Sequence, residues 1–202
     1  MNNSVRSTAR LAWAAFRALL ALTVVCGVLY PLAVTGVAQA AFPGKANGSM
    51  VKADGKEAGS SLIGQSWNGK DGKPDPKWFQ GRPSNSEYNA RETGSSQLGA
   101  SDPRLVKSVR EAKRQVADFN KVPESRVPKD AVTGSGSAVD PHISPEYARL
   151  QADRVARANG LSAGAVRKLV DRHTEDRSAG FLGQPHVNVL ELNIAVHKAA
   201  RG

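Results

Sequence analysis

The chain has 202 residues, room for about one domain and not for a multidomain machine. Its 40% hydrophobic and 5% aromatic content supports a small, mainly aliphatic core, and the 19 glycines and 11 prolines carry no period that would suggest a collagen or solenoid repeat. A single cysteine, Cys26, excludes an intramolecular disulfide and a thiolate metal cluster, and the net charge of +10 is too dispersed to mark a nucleic-acid footprint.

The placement of the charge is more informative than its size. Arg6, Arg10 and Arg17 carry +3 ahead of any acid, whereas the other 25 basic and all 18 acidic residues follow Phe42 and leave a thin surplus of +7. Trp67, Trp78 and Phe79 fall in loop-like sequence and form no stacking platform for bases, so no nucleic-acid partner is expected. Residues 1–17 read as a basic arm and 18–42 as a transmembrane helix without one charged residue, longer than the ~20 apolar residues a crossing needs. Arginines lie only upstream, which places the N-terminus in the cytoplasm and residues 43–202 outside. Ala38-Gln39-Ala40 also fits a signal-peptidase site, and a cleaved leader is the alternative. Pro31 predicts a kink, and the pairs Thr23/Gly27 and Gly36/Ala40 permit close helix contact.

From Pro43 to about Ala100 the sequence predicts loops and short strands, with an exposed turn-rich loop over Gly69–Pro76. The second half predicts helices. Asp102 caps the first, with Pro103 at its first position and an apolar stripe of Leu105, Val109, Ala112, Val116 and Phe119 opposite a solvated face of Lys107, Arg110, Arg114 and Asp118. Ser144-Pro145-Glu146 opens the next, which Gly160 stops after Asn159, and Ser162 caps a third with Val166, Leu169, Val170 and His173 inward. Val187–Ala200 is predicted helical, although its alternation also suits a strand. The fold class expected is α+β, one N-terminal transmembrane helix followed by a single mixed extracytoplasmic domain.

Catalytic patterns are weak. Gly59 through Gly64-Gln65-Ser66 has phosphate-loop glycine spacing but Gln65 where the lysine belongs, and Gly64 through Gly69-Lys70-Asp71 lacks the metal-binding hydroxyl. Ser135, Ser137, Asp140 and His142 contain the residue types of a nucleophilic triad, but Asp140 and His142 flank Pro141 and are expected to diverge. The four histidines have no metal-ligand spacing, and Asp140 is expected to cap the turn at Pro141.

The order of segments is distinctive. Tyr30-Pro31, Gln39 with Phe42-Pro43, Gly59-Ser60-Ser61-Leu62-Ile63-Gly64-Gln65, Phe79-Gln80-Gly81-Arg82-Pro83-Ser84, Asp140-Pro141-His142-Ile143-Ser144-Pro145, Gln151 with Arg154-Val155-Ala156, Gly180-Phe181-Leu182-Gly183 and Val187 through Asn193 follow one another. Together they resemble the C subunit of the Kdp-type potassium-transporting P-type ATPase, over about Gly27–Val196. Thr93–Ala100 and Gly134–Asp140 depart from the family's usual loops by small-residue exchanges, and Gly69–Pro76 looks longer than usual. The resemblance implies a non-catalytic subunit that supports assembly and acts as a catalytic chaperone, raising the ATP affinity of a hydrolysing subunit. It implies a channel-forming potassium subunit and that ATP-hydrolysing subunit as partners, the membrane as location, and ATP and Mg²⁺ as cofactors used by the partner. With the domain outside, the link to ATP is expected to pass through the membrane subunits as allosteric coupling. The alternative is a free-standing membrane-anchored binding module. Residues expected to fix the fold or contact partners are Tyr30, Pro31, Gln65, Arg82, Ser137, Asp140, His142, Asn188, Glu191 and Asn193.

Overall fold

The computed structural model describes residues 2–202, with side chains from Val5 onward, as two compact units, one ending at Ser49 and one spanning Met50–Gly202. In the first, α1 (Asn2–Val24) runs into a π-turn (Val25–Leu29), α2 (Tyr30–Ala41) and the one-turn α3 (Pro43–Ala46). The basic arm is therefore helical and continuous with the span. Val5–Ala41 is long and apolar enough to cross a membrane, and none of its most apolar stretch is buried within the chain. The π-turn is the local answer to Pro31. Proline has no N–H to offer the carbonyl four residues back and its ring crowds that carbonyl, so the helix widens just before it, and Tyr30 N–H donates to the Val25 carbonyl five residues back. The side-chain amides of Gln39, in the last turn of α2, and Asn47, just after α3, pair at 3.1 and 3.2 Å.

The second unit opens with an antiparallel hairpin of β1 (Met50–Ala53) and β2 (Lys56–Ser60), bulged between Val51 and Lys52. Its two-residue turn places Asp54 at φ 51° and Gly55 at φ 76°, the pair of positive values that a tight hairpin with right-handed strand twist requires. A long loop follows, and Gly69–Pro76 within it is turn structure as the sequence indicates.

The helices of the second half begin where their caps predict. α4 (Pro103–Asn120), α5 (Pro145–Asn159) and α6 (Ala163–Arg172) have Asp102, Ser144 and Ser162 accepting from Arg104, Tyr147 and Ala165 N–H, and Gly160 ends α5 at φ 68°. The expectation for the tail needs correction. Val187 belongs to β5 (His186–Asn188), and α7 (Val189–Arg201) starts only after it, with Asn188 as cap accepting from Glu191 N–H at 3.2 Å. The strand-and-loop half also does not hold all the strands. β3 (His142–Ile143), β4 (Thr174–Glu175) and β5 form a second antiparallel sheet in the order β3-β5-β4.

The core lies where α5 and α6 pack against this sheet and α7. Val155, Val166, Val170, Val187, Leu192 and Val196 have no exposed surface, and Phe79 from the long loop joins them. The stripe on α4 is only half-buried, and the opposite charged face is exposed as expected.

Candidate functional site

The segment Phe79–Ser84 carries no regular structure, yet buried polar side chains from two helices converge on it. Its backbone is held as if by neighbouring strands, with side chains standing in for peptides. Asn193 on α7 accepts from Phe79 N–H at 2.8 Å and donates to the Phe79 carbonyl at 3.0 Å. Gln151 on α5 does the same for Gln80, at 2.8 and 3.0 Å. A carboxamide has one acceptor and one donor edge in the geometry of a peptide group, so each residue replaces one rung of a sheet. Both side chains are fully buried.

One turn along α5, Arg154 fans out under the same loop. Its Nη1 donates to the Pro76 and Trp78 carbonyls at 2.7 and 3.0 Å, Nη2 to Gln151 Oε1 at 2.7 Å, and Nε to Asn120 Oδ1 at 2.9 Å, while the guanidinium lies 4.3 Å from the Phe119 ring centre. No carboxylate bonds to it. Burial pushes its pKa down to about 10, so it stays charged at neutral pH and is stabilised by carbonyl dipoles and the ring face.

The far end of the segment is tied to the loop before β3. Arg82 donates to the Thr133 and Gly134 carbonyls and pairs with Asp140 at 3.1 Å. Ser84 Oγ donates to the Ala138 carbonyl at 2.7 Å and accepts from Tyr88 N–H at 2.9 Å. Gly81 leaves no room for a side chain: a Cβ there would lie 2.1 Å from the Tyr88 hydroxyl, which donates to the Arg82 carbonyl at 2.6 Å.

Asp140 and His142 do not diverge. Asp140 Oδ1 accepts from His142 N–H at 2.9 Å, closing the expected cap around Pro141, and the same turn brings His142 Nδ1 to 3.3 Å. The His142 ring then meets the His186 ring edge-on at 4.4 Å, and His186 reaches Glu175 at 3.6 Å. Ser137 is turned to another task, its hydroxyl accepting from Val139 N–H at 3.2 Å. Burial alone would raise the Asp140 carboxyl, but the hydrogen bonds from His142 and the charge of Arg82 outweigh it and hold its pKa below the usual range. A depressed carboxylate contributes stability that is present above its unfolded pKa of about 4 and lost as pH falls through the lower folded value. Asp140→Asn is therefore expected to lower the melting temperature at pH 7 and to flatten its fall between pH 5 and 3. A parallel fall in both proteins would remove Asp140 from the acid response.

The phosphate-loop spacing at Gly59–Gln65 builds no anion cradle. The N–H groups of Leu62 and Ile63 go to Ser60 and that of Gly64 to the Val139 carbonyl, while Gln65 Nε2 turns back to the Ala58 carbonyl at 3.0 Å. Asn188 completes the tie between hairpin and sheet by donating to the Ser61 carbonyl at 2.7 Å. Among the described residues no group of three or more His, Cys, Asp and Glu side chains is arranged to hold a metal.

Of the residues singled out from sequence, Arg82, Asp140 and His142 come together, Asn188 and Glu191 form one helix cap, Gln65 bonds back to Ala58 in the middle of β2, and Asn193 holds Phe79. Tyr30 and Pro31 lie in the other unit, exposed on the apolar helix. Sequence reasoning gave no role to Gln151, Arg154, Asn120, Tyr88 or His186. The available signal was two long polar side chains at i and i+3 on α5 beside Val155 and Ala156, which puts them on an inward face.

Among the described residues one N-terminal apolar helix is long and apolar enough to cross a membrane, and an α+β domain whose buried polar groups hold one long loop in place follows it, the build of a membrane-associated protein. The family model described as "KdpC: K+-transporting ATPase, c chain" matches residues 12–198. A "Potassium-transporting ATPase KdpC subunit" from Streptomyces avermitilis is 54% identical over 215 residues, covering 97% of each chain. Another of the same name from Geobacter sulfurreducens is 46% identical over 182 residues, covering 88% of this chain and 92% of the relative. The chain belongs to this family of potassium-transporting ATPase subunits.

Proposed function

We propose that this chain is a non-catalytic accessory subunit that assembles with a channel-forming potassium subunit and an ATP-hydrolysing subunit and raises the ATP affinity of the latter. The carrying observation is the family match, which takes in the apolar helix and the domain together. In this reading the arginine-flanked end of the helix is cytoplasmic, because Arg6, Arg10 and Arg17 all precede the uncharged run, and the domain is extracytoplasmic. ATP and Mg²⁺ belong to the partner subunit. The effect on ATP is then a coupling between sites on opposite sides of the membrane, and it requires two states of the complex to which this chain binds differently. The buried clamp on Phe79–Ser84 supports the reading, since a domain that transmits a preference between states must resist deformation.

Deletion of the chain is expected to abolish high-affinity ATP-driven potassium uptake in cells, and the chain is expected to copurify with two multispanning subunits. Protease added to intact cells stripped of their outer barriers should cleave the domain. Unchanged uptake together with purification of the chain alone would identify a free-standing module.

A further inference from the structure

A cavity of about 930 Å³ opens between the long loop and α4, wholly within the Met50–Gly202 unit. Its walls include Trp67, Tyr88, Val116, Phe119 and Tyr147, a size and an aromatic lining that suit a small molecule. Among the described residues that line it, Arg82 is the sole cation, and its guanidinium is used up by Asp140 and the Thr133 and Gly134 carbonyls. Arg154 does not line the cavity. Acceptors, by contrast, are left over. Tyr147 is 3% exposed, and burial pushes its pKa up, so the phenol stays neutral. Its hydroxyl has no hydrogen-bond partner among the described residues, yet it is not sealed off and keeps its open side on the cavity. A buried tyrosine hydroxyl ordinarily finds a partner. Gln80 Oε1 also accepts nothing, while the nitrogen of the same amide is spent on the Trp67, Asp75 and Trp78 carbonyls. At the exposed edge of the lining, the Glu87 and Asp118 carboxylates make no hydrogen bond or ion pair among the described residues. Glu87 and Tyr88 sit at φ 52° and 64°, left-handed values that a residue with a Cβ takes at a steric cost, and Ser84 Oγ fixes that turn by accepting from Tyr88 N–H.

We infer that this cavity binds a small organic cation, an aliphatic diamine or polyamine whose ammonium groups meet the Tyr147 and Gln80 oxygens inside and the Glu87 and Asp118 carboxylates at the edge. An ammonium is all donors and no acceptor, which matches a set of unused acceptors, and the hydrocarbon between ammonium groups suits aromatic walls that also attract cations. Anions are disfavoured, because the sole cationic side chain in the lining is already paired and the unpaired charges are both carboxylates. A bare metal ion does not fit either, since no group of three or more His, Cys, Asp and Glu side chains among the described residues is arranged to hold one. The site belongs to the domain itself and does not depend on the assembly proposed above.

The test uses the full chain in detergent, with cadaverine as the probe and two controls of the same carbon length, uncharged pentanediol and anionic glutarate. Calorimetric titration is expected to show saturable one-site binding of cadaverine with a Kd of about 1 mM or tighter, and binding of either control at least about tenfold weaker. Glu87→Gln with Asp118→Asn changes two exposed side chains, and is expected to leave the ligand-free melting temperature unchanged while weakening cadaverine about tenfold. Tyr147→Phe keeps the ring, removes only the hydroxyl, and is expected to weaken cadaverine about fivefold. No saturable binding of cadaverine, pentanediol or glutarate bound as tightly as cadaverine, or an affinity unchanged in either variant overturns the inference.

Discussion

Arg154→Ala is expected to destabilise the folded domain by about 3–5 kcal/mol, a large share of the ~5–15 kcal/mol available to a small domain. The loss does not come from a broken ion pair. Arg154 is a buried charge, 5% exposed, whose depressed pKa records a cost of desolvation, so its value lies in its donors. Its removal orphans the Pro76 carbonyl and Asn120 Oδ1, for which the guanidinium is the donor, and weakens the hold on Trp78. Asn120 Oδ1, buried and left without a donor, costs about 1–3 kcal/mol, the carbonyl of exposed Pro76 costs less because water can reach it, and the stacking on Phe119 is lost as well. Arg154→Lys keeps the charge but replaces a planar fork of five donors with three on one atom, and is expected to recover less than half of the loss. Thermal unfolding of the full chain in detergent reads both. A loss below about 1 kcal/mol for Arg154→Ala would show that water or a shifted side chain can replace the fork.

The second large effect is expected at the two carboxamides. Gln151→Leu or Asn193→Leu preserves much of the volume and removes the polar edge, leaving one backbone N–H and one carbonyl of the loop unpaired. About 3 kcal/mol each follows, a fall in melting temperature of about 6–12 °C at this chain length. The pair should not be additive. Once the loop detaches at Gln80, Phe79 is free to leave its site beside α7, so the double variant is expected to lose at least about 1 kcal/mol less than the sum. Strict additivity would mean that the two residues hold independent elements.

What was legible in the sequence is what local chemistry decides. Asp102, Ser144 and Ser162 mark helix starts because a capping side chain bonds within three residues of itself, and Gly160 marks a helix end because a residue without a Cβ takes the left-handed conformation at no steric cost, so neighbours along the chain suffice to predict both. The uncharged stretch after Arg17 is legible for the same reason, and so is the interruption at Pro31. The β3-β5-β4 sheet is not, since strands of two or three residues are too short to show a period and His142↔Asn188 is a pairing between distant positions. The divergence expected of Asp140 and His142 failed because an extended backbone still permits the aspartate to fold over its own turn. The clamp itself was hidden. Long polar residues such as Gln151 and Arg154 read as solvated by default, and what overrides this is an irregular loop with unpaired peptide groups lying against that face of α5.

The clamp gives the functional proposal a physical form. A domain outside the membrane changes ATP affinity inside only if it binds two states of the complex differently, and a tenfold change in affinity corresponds to about 1.4 kcal/mol of such preference. If the proposal holds, reciprocity requires ATP to tighten the grip of the complex on this chain by the same factor. The most direct measurement is the equilibrium dissociation constant of ATP for the membrane complex with and without this chain, taken alongside the dissociation constant of the chain with and without ATP. Weaker ATP binding in its absence, matched by weaker binding of the chain when ATP is withheld, is the predicted result. Equal ATP affinity in both preparations, or ATP bound by the isolated chain, would contradict it.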